Sequence, residues 1–91
     1  VVLCGPWTGS VGEAMAMNLS TTGRAKAFGT RMAGLLGAVN IYRLDHTGLT
    51  FQIPVTRLYD AKGNPREDFR PDVEVLGNKA CLDRALEVLG Q

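Results

Sequence analysis

An excess of charge of either sign is absent from this 91-residue chain: ten Lys and Arg against nine Asp and Glu leave a formal net charge of +1. That excludes the basic footprint by which a domain holds nucleic acid or an anionic membrane surface. No apolar run approaches the roughly 20 residues that a transmembrane helix needs. Cysteine is scarce. Cys4 and Cys81 lie far apart, with no Cys-x-x-Cys or Cys/His spacing, so no metal site and no cofactor are expected. Two small buried thiols, rather than a disulfide, are the expectation, and they do not fix a redox compartment. Internal repeats, low-complexity tracts and internal linkers are also missing.

What remains is a chain of the size of one small domain, or of a piece of a larger one, with a thin core. It opens on Val1-Val2-Leu3-Cys4 without a Met, which reads as an excised segment whose targeting peptide, if any, lay upstream. Val1 to Cys4 is apolar and half β-branched, a short buried strand. From Ser10 to about Thr22 the residues Val11, Ala14, Met15, Met17 and Leu19 make a loose apolar helical face, and Gly23 follows as a stop. Arg24 to Phe28 then reads as a second strand. Strand, helix, strand favours a parallel pair with a right-handed crossover.

Residues 31 to 37 have the glycine spacing of a loop. Val39 to Leu44 and Leu49 to Leu58 read as antiparallel strands joined through Asp45-His46-Thr47-Gly48. In the second, Leu49, Phe51, Ile53 and Val55 alternate with Thr50, Gln52, Pro54 and Thr56. Pro54 cannot donate to a ladder, which puts this strand at an edge or a bulge there. Asp60-Ala61-Lys62-Gly63 is a turn, residues 64 to 70 a polar loop, and Pro71 to Val75 a short strand. Asn78 is placed to cap a last helix with Leu82, Ala85, Leu86 and Leu89 on one face. The whole is a single α/β unit, residues 1 to 91.

Ser10 is the candidate for chemistry. It stands at a strand-to-helix junction after Gly5-Pro6-Trp7-Thr8-Gly9, where a serine can project its hydroxyl while the next backbone N–H, that of Val11, faces a developing oxyanion. Ser10 and Glu13 equally form S-x-x-E, a helix capping box. Local pattern does not separate these roles, and a hydroxyl spent on a cap is a poorer nucleophile. The two glycines and the proline before Ser10 make a sharper approach than a helix start requires. His46 reads as a solvated turn residue. Lys62 and Lys79 read as exposed, and nothing directs Lys26 at Ser10. Glu67 and Asp68 read as solvated loop acids, one of which could orient a base. The seven arginines are scattered and imply no anion site.

The order of the pieces carries more than any one of them. Thr8-Gly9-Ser10-Val11-Gly12-Glu13-Ala14, then a helix, then Gly23-Arg24-Ala25 and Gly29-Thr30-Arg31, resembles the nucleophile region of the tail-specific, or C-terminal processing, serine proteases. The resemblance continues through the hairpin, Arg57-Leu58-Tyr59-Asp60-Ala61-Lys62-Gly63 and Pro71-Asp72-Val73-Glu74-Val75, and covers nearly the whole chain. It implies a partial Clp protease/crotonase-like β-β-α unit, with a mixed sheet, two main helices and a β-hairpin, forming the C-terminal segment of a peptidase catalytic domain. It implies endopeptidase hydrolysis of a polypeptide substrate through an acyl-enzyme. Ser10 would be the nucleophile and the Val11 N–H one oxyanion donor. The second donor would come from an upstream glycine in the remainder of the catalytic domain.

One position departs from that pattern. Bacterial members place a general-base lysine 25 residues after the serine, and here that position is Leu35. The chain then resembles either the tricorn-like branch, with a Ser-His-Glu arrangement, or a non-catalytic relative acting as a peptide-binding or structural module. The tricorn-like branch is the favoured reading: its histidine lies upstream and Glu67 is the candidate third member. On either reading the segment alone is expected to be inactive. The resemblance points to a cell-envelope or secreted setting, although the tricorn-like branch includes intracellular members.

Overall fold

Short β-branched runs and two glycine-bounded helical stretches build the chain in the computed structural model, which describes residues 1–35 and 37–90. The elements in order are β1 (Val2–Cys4), α1 (Val11–Thr21), β2 (Ala27–Gly29), β3 (Val39–Arg43), β4 (Thr50–Pro54), a 3-10 turn at Arg66–Asp68, β5 (Val73–Glu74) and α2 (Asn78–Leu89). β1, β2 and β5 form a parallel sheet in that order, with Leu3 opposite Phe28 and Phe28 opposite Val73. β3 and β4 form a separate antiparallel hairpin. The expected mixed α/β unit with two helices and a hairpin is therefore what the chain forms. Among the described residues no helix is long and apolar enough to cross a membrane.

β2 is the centre of the core. All three of its residues are buried, and Phe28 packs with Cys81 and Ala85 of α2 and with Val73, Val75 and Val88. Side chains alternate across a strand, so Ala27 faces the other side, and α1 packs against both β1 and β2. The strand begins later than the sequence indicates. Arg24 and Ala25 are instead held in a turn, their N–H groups both donating to the Leu19 carbonyl at 2.9 Å. Asp72 locks this corner: its Oδ2 accepts from the Ser20 hydroxyl at 2.8 Å and from the Ala27 N–H at 2.7 Å.

Both cysteines are free and buried, as expected. Burial, then the nearby Cys81 and Asp72, pushes the Cys4 thiol above its ordinary pKa. Gly29 is where β1 and β2 meet most closely. It has a φ of 137°, and a Cβ there would lie 1.7 Å from the Cys4 carbonyl oxygen.

Two helical faces differ from expectation. In α2 the buried residues are Cys81 and Ala85, with Val88 beside them, while Leu82, Leu86 and Leu89 are exposed. The small side chains face the sheet because they let the helix approach it closely. Gly77, not Asn78, is the N-cap, and Asn78 is the first helical residue. In α1 the buried residues are Glu13, Ala16 and Met17, whereas Val11 and Met15 are exposed.

The paired strands of the hairpin are shorter than the sequence indicates: the register closes at Val39 opposite Pro54, with one further bond from the Val55 N–H to the Ala38 carbonyl at 2.9 Å. Tyr42 and Phe51 stack across it with ring centroids 5.5 Å apart. All ten of its strand residues are exposed, so the alternation of β4 buries neither face against the described residues. The turn at Asp60 forms as expected: Asp60 Oδ1 accepts from the Lys62 and Asn64 N–H groups at 2.8 and 2.9 Å, and Gly63 has a φ of 83°.

The contact at Gly29 gives a direct test of the sheet. Gly29→Ala must push β1 and β2 apart, and we expect a loss of more than about 4 kcal/mol, measured by chemical denaturation against Gly63→Ala, whose Cβ would meet open space.

Candidate active site

Ser10 closes a tight approach built from its own neighbours. The Thr8 N–H donates to the Gly5 carbonyl at 2.9 Å, the Gly5 N–H donates to the Thr8 hydroxyl at 3.0 Å, and the Gly12 N–H donates to the Gly9 carbonyl at 3.0 Å. The chain thus leaves β1, folds over Pro6 and Trp7, and enters α1 through one residue. That residue has φ 53° and ψ −115°, and among the described residues Ser10 alone is a non-glycine at positive φ. Such a conformation costs of order 1–3 kcal/mol and persists only where its surroundings hold it.

Two buried charged side chains hold it. Glu13, 2% exposed, accepts the Ser10 N–H on Oε1 at 3.1 Å. Arg66, 5% exposed, donates from Nη2 to the Ser10 carbonyl, which also accepts the Ala14 N–H at 3.2 Å. The same Glu13 carboxylate accepts the Leu35 N–H at 2.7 Å and the Gly34 N–H at 3.3 Å. Glu13 therefore fastens the loop around Leu35 to the serine. Both halves of the capping box are in place: Glu13 reaches back to the Ser10 N–H and the Ser10 side chain faces the N3 backbone, although its hydroxyl makes no cap hydrogen bond. Among the described residues no acceptor takes the Val11 N–H.

Ser10 lines an open cavity of about 410 Å³ together with Gly34, Leu35, Val39, Gln52 and Pro54. The described side chains around it include none that takes up a proton. Leu35 stands there, 60% exposed. Lys26, Lys62, Lys79 and His46 are all exposed elsewhere, His46 at the hairpin tip and Lys79 paired with Asp83 at 2.6 Å.

Glu67 lies in the 3-10 turn beside Arg66 and borders a second, smaller cleft with Glu13, Arg31 and Arg70. Its Oε1 accepts from Arg57 Nε at 2.7 Å. A bond to its own backbone, and then Arg57, hold its carboxyl below the usual range. Ser10 and Glu67 thus border different cavities, joined through Arg66 and Glu13. Asp68, the other acid of the pair, is exposed.

A model of peptidase family S41 matches residues 1–75. The chain belongs to peptidase family S41. The resemblance to the tail-specific proteases, carried by the order of motifs around Ser10, is thereby shown at the level of the family, and serine-type peptidase chemistry is the family's. No curated protein matches the chain. Among solved structures, the crystal structure of mature CPAF is similar with a TM-score of 0.71 and 23% identity over 98% of this chain. At that identity the likeness is one of fold. This S41 chain spans 18% of the length of the CPAF chain.

Two residues of this candidate site were not legible as such. Arg66 is one of seven arginines spread along the sequence, and nothing near it marks a contact 56 positions away. Glu13 is visible in S-x-x-E, but its hold on Gly34 and Leu35 is not. With Glu13 as the clamp, Glu13→Ala should cost about 2 kcal/mol, because it strips one acceptor from three part-buried N–H groups at once. Hydrogen exchange should speed up together at Ser10, Gly34 and Leu35, with Glu13→Gln intermediate.

Proposed function

We propose that this chain is the nucleophile-bearing part of a serine endopeptidase. The observation that carries the reading is the backbone of Ser10, strained at positive φ and gripped at both its N–H and its carbonyl by buried side chains. Glu13 on the N–H is what a capping box supplies, but a helix cap needs neither the strain nor the Arg66 contact on the carbonyl. Outliers of this kind cluster at catalytic sites, and a serine on a sharp strand-to-helix turn is a recurrent way to expose a nucleophile.

In the reaction the Ser10 Oγ attacks the scissile carbonyl of a polypeptide and its proton passes to a general base. The carbonyl oxygen becomes an oxyanion facing the Val11 N–H. Collapse breaks the peptide C–N bond, the base returns the proton to the leaving amine, and an acyl-Ser10 ester remains. Water, deprotonated by the same base, then releases the acid and regenerates the hydroxyl.

The base is supplied from outside this chain, because the dyad's lysine position is Leu35 and the wall around Ser10 has no titratable side chain among the described residues. We favour the tricorn-like Ser-His-Glu arrangement. Glu67 is the acid this chain offers to it, and a carboxylate held ionised is what a histidine-orienting partner requires. The remainder of the catalytic domain would supply the histidine, the second oxyanion donor and cover for the exposed hairpin and the α2 leucines.

A fluorophosphonate probe tests this on the longer protein that carries the chain. We expect covalent labelling at Ser10 that Ser10→Ala abolishes, and a fall of at least about 100-fold in labelling rate for Glu67→Gln if Glu67 orients the base. The isolated 91 residues should label far more slowly. Labelling that survives Ser10→Ala would sink the assignment. Peptide binding without any labelling would favour the non-catalytic, peptide-binding reading.

A further inference from the structure

The Arg66 side chain is buried, comes from a distant turn, and ends on the carbonyl of Ser10. That carbonyl already accepts the Ala14 N–H at 3.2 Å, so Arg66 is not needed to satisfy it. Meanwhile the Arg66 Nε is buried with no hydrogen-bond partner among the described residues, an arrangement that costs stability. A buried arginine held on these terms calls for an account other than solvation or simple pairing.

The carbonyl that Arg66 touches belongs to the peptide unit whose N–H is that of Val11. A peptide is planar, so fixing its oxygen fixes the direction of its N–H. A cationic donor on the oxygen also draws electron density toward it through the amide, which leaves the N–H more positive. Hydrogen bonds to charged groups are the strong ones, and chains of them reinforce one another in a low dielectric. Glu13 acts on the other side of Ser10, taking the N–H of the preceding peptide at 3.1 Å. The Ser10–Val11 unit is therefore aimed from its carbonyl end by Arg66.

We propose that Arg66 is a positioning residue that aims and polarises the Ser10–Val11 peptide, so that the Val11 N–H is presented to the oxyanion. This rests on the reading of Ser10 as the nucleophile. Arg66 touches no reacting atom; it acts through the peptide. Its loss leaves the hydroxyl, the base and the outer cavity in place and weakens the one backbone donor this chain contributes.

The test uses the full protein, a fluorophosphonate probe and the labelling rate at Ser10, with the thermal midpoint recorded for each variant. Losing an oxyanion donor outright costs about 10²–10³ in rate, so losing the residue that aims it should cost less. We expect roughly tenfold or more for Arg66→Ala. Added methylguanidinium should restore a measurable part of that rate while leaving the wild type unchanged. Arg66→Lys, which keeps a cationic donor, should label faster than Arg66→Gln. A folded Arg66→Ala that labels at the wild-type rate overturns the inference, as does a slow one that methylguanidinium does not help. If Arg66→Ala does not fold, equal rates for Arg66→Lys and Arg66→Gln overturn it. A wild-type protein that is not labelled at Ser10 refutes the nucleophile reading itself, and this inference with it.

Discussion

A single buried carboxylate ties the beginning of α1 to a loop more than 20 residues further along. Glu13 accepts the N–H groups of Ser10, Gly34 and Leu35, so the entry to the helix and the wall facing it move as one piece. Burying an ionised carboxylate is costly, and several N–H donors converging on it are what offset that cost. Arg66 completes the frame from the other side. The strained Ser10 backbone is stable only inside this frame, which explains why a polar, charged pair occupies a place where a small domain would otherwise put apolar volume.

The rest of the fold serves to deliver those two side chains. β1 and β2 lie side by side through Gly29, α1 runs between them, and β5 closes the sheet beside β2. Asp72, just before β5, fastens the end of α1 to the start of β2. The turn carrying Arg66 and Glu67 directly precedes β5, so the pairing of β5 with β2 sets how far those residues reach. Sheet register and site geometry are one constraint seen from two ends.

Much of this was legible in the residues. β1, α1, the hairpin, the Asp60 turn, β5 and α2 all stand near where patterning puts them, and S-x-x-E names the Ser10–Glu13 contact. The errors have physical causes. Leu82, Leu86 and Leu89 are the largest apolar residues of α2, so periodicity assigns them to the core, yet close packing on Phe28 selects the small Cys81 and Ala85. The apolar alternation of β4 is real but has no cover among the described residues. Arg66 has no local signature because its partner is distant in sequence. The residues leave the Ser10 hydroxyl open between cap and nucleophile, and its positive φ is a feature that no pattern shows.

β2 and β5 are neighbours in space, and the Val75 N–H donates to the Gly29 carbonyl at 2.8 Å. Everything between residues 30 and 72 is consequently an excursion that leaves and re-enters the sheet at adjacent points. Lengthening such an excursion costs little, about 0.6 kcal/mol for each doubling of a flexible loop. Descendants of this scaffold can therefore lengthen the hairpin or rewrite its tip while the sheet remains intact. Only the two short stretches gripped by Glu13 and leading to Arg66 must stay in register with Ser10. Changes in the middle of the excursion therefore leave the Ser10 backbone as it is.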